Sequence, residues 1–252
     1  MRAPELTELA IRWLQTAYPD AFITTELSVA EWGGASVDVA AITTSEIVGV
    51  EIKGEGDSTT RLELQGLKYG RVCRFMWLLP SPEGTLARRC ESNRPRGWGM
   101  LAVEDGRVMP AALGERTDGT VRRSQARVQP HQCAMAMCET LWRDELVAAA
   151  RIGEATIHAG PRPRVSELRA GIVASLPTPR IHDLMIDRLR KRVWPEGKRV
   201  IAPSIDPTTI CAPCRGTGLW RGGEEEAHGA LSRSDVTCGH CRGTGKVVAD
   251  AG

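Results

Sequence analysis

No apolar run in this 252-residue chain approaches the roughly 20 residues that a membrane-spanning helix needs, which argues against a helical membrane protein. Charge of one sign is also missing. The formal net charge is +2, so bulk electrostatics does not announce a nucleic-acid partner. The opening residues run straight into an amphipathic pattern and carry no apolar signal segment. The expected compartment is therefore the cytoplasm, where disulfides are rare. Cysteine itself is not scarce. Eight are present, and in that compartment they point to metal or to free thiols. A hydrophobic content of 42% and a charged content of 25% are ordinary for a globular protein. The length allows one good-sized domain plus something smaller.

Two neighbouring apolar runs carry the most informative residues. Val37-Asp38-Val39-Ala40-Ala41-Ile42 and Ile47-Val48-Gly49-Val50-Glu51-Ile52-Lys53 are separated by Thr43-Thr44-Ser45-Glu46. Each reads as a short β-branched strand. Strand side chains alternate faces, so Glu51 and Lys53 share one face and Val48, Val50 and Ile52 the other. Two carboxylates beside a lysine on paired strands suit a hard divalent cation and metal-assisted hydrolysis of a phosphodiester. A Glu-x-Lys on a strand is more often a solvated face. Its context carries the sharper reading.

That context is an alternation of helices and strands. Residues 5–17 repeat Leu6, Leu9, Ala10, Trp13, Leu14 and Ala17 at helical spacing. Residues 23–29 read as a strand. A helix is expected from about Thr60 to Tyr69 with Gly70 behind it, then a buried strand over 74–79 stopped by Pro80 and Pro82. Residues 98–109 read as a hairpin around Asp105-Gly106. The stretch 111–129 is poorly patterned, and helical character returns over 132–151. Gly160-Pro161-Arg162-Pro163-Arg164 reads as a stiff linker, followed by helices over 165–175 and 181–194. Arg188, Arg190, Lys191 and Arg192 form the densest basic run, a candidate for phosphate contacts.

The C-terminal end contains an internal repeat. Cys211-Ala-Pro-Cys214-Arg-Gly-Thr-Gly218 is followed by Cys238-Gly-His-Cys241-Arg-Gly-Thr-Gly245. Two CxxC knuckles make a tetrahedral site for one structural zinc, bound by Cys211, Cys214, Cys238 and Cys241. Glycines beside the cysteines let the chain turn tightly around the ion. Among Cys73, Cys90, Cys133 and Cys138 no CxxC occurs, so buried thiols are expected there rather than an iron–sulfur cluster.

The first region resembles the MmcB-like DNA-repair proteins of the PD-(D/E)xK nuclease superfamily. The likeness rests on the leading helix, Thr25-Glu26-Leu27, Ser36-Val37-Asp38-Val39, Val50-Glu51-Ile52-Lys53, Lys68-Tyr69 and Cys73-Arg74-Phe75. Val37 stands where that family carries an arginine. The resemblance implies that Asp38 and Glu51, helped by the Ile52 carbonyl, hold Mg²⁺ or Mn²⁺ and that Lys53 orients the attacking water. It places Glu26 at an upstream acidic position, where a solvent-facing glutamate competes with a functional one. Glu5 and Glu8 of the first helix are weaker candidates. Gln65-Gly-Leu-Lys-Tyr69 has the QxxxY form of RecB-like nucleases, and four residues apart on a helix means one face. The competing reading is a surface glutamine beside a packing tyrosine. The CxxCxGxG repeats resemble the zinc finger of the DnaJ co-chaperones. No J-domain signature accompanies them.

The expected architecture is α/β, a restriction-endonuclease-like mixed sheet flanked by helices over 1–153. A helical connector over 154–205 and a small zinc finger over 206–252 follow. The expected function is a metal-dependent nuclease acting on DNA, with a protein partner for the zinc finger as a further option. The alternative is a non-catalytic nucleic-acid or protein adaptor that keeps the same fold.

Overall fold

The structure, a computed structural model, describes residues 1–30, 35–82, 84–115, 117, 120–130 and 132–204. The zinc-ligand candidates Cys211, Cys214, Cys238 and Cys241 lie outside the described residues. Among the described residues no helix is long and apolar enough to cross a membrane.

The sequence Ile47–Lys53 forms β3, and every residue of it is buried. A strand covered on both faces needs apolar side chains in both directions. β3 meets that with Val48, Val50 and Ile52 on one side and Ile47 and Gly49 on the other. Glu51 and Lys53 are the exceptions at its end. β1 (Phe22–Ala30) and β2 (Ala35–Ile42) precede it as antiparallel neighbours. α2 (Leu62–Tyr69) then crosses over to β4 (Phe75–Pro80), which runs parallel to β3. α3 (Leu86–Ser92) leads to β5 (Gly99–Glu104), again parallel, and β6 (Arg107–Pro110) returns antiparallel through the Asp105-Gly106 turn. The result is a mixed seven-stranded sheet in the order β6-β5-β4-β3-β2-β1-β9, with β9 (Val200–Ile201) added last.

Helices cover both faces. α1 (Ala3–Ala17) lays Leu6, Ala10, Ile11 and Leu14 on Ile23, Val39, Val48, Val50, Ile52 and Leu79. The opposite face buries Leu27, Val37, Ile42, Ile47, Met76 and Leu78 under α2, α3, α4 (Ala134–Glu139) and α7 (Thr178–Arg190). α5 (Arg143–Ile152) and α6 (Val165–Ser175) pack against those helices in the same core. Residues 154–204 are thus helical as expected, but they share the core of the first 153 residues. β9 then pairs with β1 at Ile23 and Thr24, so this segment completes the sheet.

Three local features differ from the expectation. The single helix expected over 132–151 breaks at Thr140–Trp142, because Glu145 turns back to accept the Trp142 N–H at 2.7 Å and starts a new helix. α3 was hidden between prolines. The poorly patterned stretch holds a two-stranded ribbon, β7 (Ala112–Glu115) with β8 (Val121–Arg123). At Gly49 the sheet is packed so closely that a Cβ would sit 2.4 Å from Met76 Sδ and 2.9 Å from Val37 Cγ1. That glycine lets Val37 fold over β3 just where Asp38 leaves the ladder.

Candidate active site

The paired ladder of β2 and β3 runs from Ile42↔Ile47 to Val39↔Val50. Beyond it the Asp38 side chain takes over from the backbone, and its Oδ2 accepts the Ile52 N–H at 2.7 Å. The alternation of β3 is as the sequence suggests. Val48, Val50 and Ile52 face α1, while Glu51 and Lys53 face α2.

From α2, Gln65 reaches down to both of them. Its Nε2 donates to Glu51 Oε1 at 2.7 Å, and its Oε1 accepts from Lys53 Nζ at 3.3 Å. Lys53 Nζ also donates to Glu51 Oε1 at 2.8 Å. Gln65 Nε2 lies 3.2 Å from Tyr69 Oη, and the Tyr69 hydroxyl donates to the Ser36 carbonyl at 2.7 Å. Tyr69 is held flat against Trp98, with ring centroids 6.0 Å apart and planes 13° from parallel. Asp38, Glu51, Lys53, Gln65 and Tyr69 therefore form one connected group. The Gln65 side chain is not a free surface amide, and Tyr69 both packs and bonds. The part that sequence reasoning missed is the Ser36 carbonyl, whose only signal was its place two residues before Asp38.

The group is nearly sealed. Glu51 is 2% exposed and Lys53 7%. Burial, and then the neighbouring Glu51 charge, push the Asp38 carboxyl up to about 7 against the pull of the Ile52 N–H and Lys53. Burial likewise raises the Tyr69 hydroxyl far above its ordinary range. Glu51 Oε2 is buried without a hydrogen-bond partner. A buried carboxylate oxygen left unbonded is costly, and a hard cation would satisfy it. The Ile52 carbonyl fits the same place. In an extended chain successive carbonyls point to opposite edges. The Lys53 carbonyl points at β4, accepting from Ser81 N at 2.7 Å, so that of Ile52 points to the β2 side, toward Asp38. Among the described residues no group of three or more His, Cys, Asp and Glu side chains converges. The two carboxylates and one carbonyl are the donor set that the protein offers.

Other candidates fall elsewhere. Glu26 does not join the group. Its φ of +50° interrupts β1, and its side chain is 80% exposed, 3.9 Å from Lys198 Nζ. The register with β2 is kept across it, Thr25↔Val39 and Leu27↔Val37, yet the strand turns over there, because Ile23 faces α1 whereas Leu27 faces α2. Glu8 pairs with Arg199, and Glu5 caps α1 through the Arg2 N–H at 2.9 Å. The basic run after α7 is internally engaged. Arg188 and Lys191 pair with Asp187. Arg190 donates to the Asp20 and Ile42 carbonyls at 3.0 Å and lies over the Phe22 ring. Arg192 grips Glu145 with two bonds, donates to the Thr140 carbonyl, and lies over the rings of both Trp142 and Trp194. These cations are structural first, because the fold supplies each with a carboxylate or a carbonyl before any phosphate arrives. Cys73, Cys90 and Cys138 are buried, and burial pushes their thiols up to about 12, 11 and 12.

Comparison with known proteins finds no matching family model, no similar curated protein and no similar solved structure. The site therefore has to be read from its own geometry.

Proposed function

We propose that this chain is a metal-dependent nuclease with a restriction-endonuclease-like domain of the PD-(D/E)xK type, acting on DNA in repair or processing. The observation that carries the reading is the end of β3. Two carboxylates and a lysine meet there under one helix, with a Glu51 oxygen that no protein donor satisfies.

Mg²⁺ or Mn²⁺ held by Asp38, Glu51 and the Ile52 carbonyl would supply Lewis acidity and a lowered pKa for water. The protein's own part is positioning. Lys53 has three N–H donors. Glu51 and Gln65 take two of them, which leaves the third for an attacking water or a phosphate oxygen. Gln65 keeps Glu51 Oε1 occupied and so leaves Oε2 for the cation. Tyr69 anchors Ser36, and with it the strand that delivers Asp38. Separately, the Cys211, Cys214, Cys238 and Cys241 spacing supports one structural zinc, whose module would contact nucleic acid or a protein partner.

The test is incubation of the purified protein with labelled single-stranded, duplex, nicked and branched DNA, and with RNA, in Mg²⁺, Mn²⁺ or EDTA. Cleavage that needs the metal supports the enzyme. Binding without cleavage under every condition supports the adaptor, for which the closed Lys53–Glu51–Gln65 network is the favouring observation. Close to one zinc per purified chain is expected by metal analysis.

A further inference from the structure

The helix that roofs the site has an outer face as well as an inner one. Leu62, Gln65 and Tyr69 point inward. On the outside, Arg61, Leu64, Lys68 and Arg71 follow one another at spacings of three and four residues, which places them in one stripe. Gly70 keeps helical dihedrals, so the stripe continues to Arg71. Arg61 and Arg71 are exposed. Leu64 is 56% exposed, and its neighbour Leu67 is 65% exposed. Apolar side chains this open are common singly. Here they are paired and flanked by cations, on the helix whose next residue, Gln65, bonds Glu51 and Lys53.

Resting on the nuclease reading, we infer that the outer face of α2 binds unpaired nucleotides and that the substrate is a single strand or a single-stranded segment. A cation–leucine–cation stripe needs a ligand with phosphate charge and flat apolar faces on the same side. A duplex hides its base faces in the stack and offers phosphates and groove edges. A single strand offers phosphates and base faces together, and single-strand sites combine a cationic groove with flat platforms for the bases, usually aromatic; here the two open leucines would take that part. The recess of the site agrees. With Glu51 and Lys53 almost covered by Gln65, the scissile phosphate has to pass beside α2, which a flexible strand does readily. The densest basic run of the described chain, residues 188–192, is tied up internally and offers no track for a rigid duplex. Glu63 is the one acidic side chain of α2. It adjoins the stripe without interrupting it.

The experiment measures binding of the full-length chain by fluorescence anisotropy in EDTA. The probes are an oligothymidine of about 20 nucleotides, longer than a typical single-strand site, and a hairpin duplex. The parent is compared with Leu64→Gln/Leu67→Gln, which keeps helix propensity, and with Arg61→Gln/Arg71→Gln. The expected result is tighter binding of the single strand by the parent and a loss of about ten-fold in the leucine variant. Its duplex affinity and melting midpoint should not change. The arginine variant should show a shallower salt dependence. Equal single-strand affinity in the parent and the leucine variant would overturn the inference, as would a change of oligomeric state by light scattering with no change in DNA affinity. A parallel digestion in Mn²⁺ separates the two claims. Leucine-dependent binding without cleavage would sink the nuclease reading and keep the surface. Metal-dependent cleavage indifferent to the leucines would do the reverse.

Discussion

The end of β3 and the end of α7 are both clusters of charge, and they treat their charges in opposite ways. At the end of α7 each cation has a partner, from the nearly covered Arg192 to the 65% exposed Lys191, which pairs with Asp187. Arg192 has two bonds to one carboxylate, one to a carbonyl, and lies over two indoles. Arg190 satisfies two carbonyls, which ties α7 to the β2 end and to the turn before β1. At the end of β3, two carboxylates are buried together, a single lysine balances them, and one oxygen has no partner. A polar network that is fully satisfied fixes a structure, while one left short is the place to look for chemistry. Of two dense charge motifs in this sequence, the more basic one is architecture and the mixed one is the candidate site.

The largest test of that contrast is removal of the site groups. Asp38→Ala, Glu51→Ala and Lys53→Ala are each expected to lower metal-dependent cleavage on the order of a thousand-fold or more, measured on protein that circular dichroism shows to be folded. The two carboxylate variants should also lose Mn²⁺ affinity by calorimetry. If all three cut DNA at the parent's rate, the site is misassigned. The opposite behaviour is expected at the other cluster. Arg192→Ala removes the cation from the largely covered Glu145 and leaves it only the Trp142 N–H, so urea unfolding should show a loss of about 3 kcal/mol. Mn²⁺ affinity of the folded protein should be unchanged. A stable Arg192→Ala variant would mean that the pair with Glu145 contributes little, and the contrast would weaken.

A finer test uses pH. The Asp38 carboxyl is raised from 3.8 to about 7 in the folded protein, so the folded state holds that proton more tightly than the unfolded chain. Stability contributed by the protonated form is then present below about 4 and is lost progressively as pH rises to about 7. In EDTA at pH 8, Asp38→Asn should therefore be more stable than the parent by roughly 1–3 kcal/mol, and added Mn²⁺ should close the gap by stabilising the parent alone. Identical pH profiles for the two proteins would show that Asp38 does not hold that proton. The smallest effect is expected from Tyr69→Phe, which keeps the ring on Trp98 and removes the bond to the Ser36 carbonyl. A loss of about 1 kcal/mol in chemical denaturation is expected.

Several of these features were legible in the chain itself. The period of two in Ile47–Lys53 put Glu51 and Lys53 on one face. The period of 3.6 over α1 gave its buried stripe, and the spacing of Gln65 and Tyr69 put both on one side of α2. Such patterns survive folding because they are geometric properties of strands and helices. What stayed hidden depended on long-range partners. Nothing near Glu26 in sequence announces the left-handed φ that turns it to Lys198. The run 188–192 looks like a phosphate track until Asp20, Ile42, Thr140 and Glu145 are seen to claim its cations.

The sequence by itself determined the alternation of elements, the mixed α/β character and the identity of the groups that could hold a metal, because local propensity and hydrophobic period are written residue by residue. Tertiary structure alone decided which of those groups meet. The β2–β3 ladder stops at Val39↔Val50 and hands Ile52 N–H to Asp38. α2 docks so that Gln65 spans Glu51 and Lys53, and residues 154–204 fold back to finish the sheet with β9. Each of these joins positions far apart in the chain, and its free energy comes from burial and hydrogen bonds that exist only once the layers have packed.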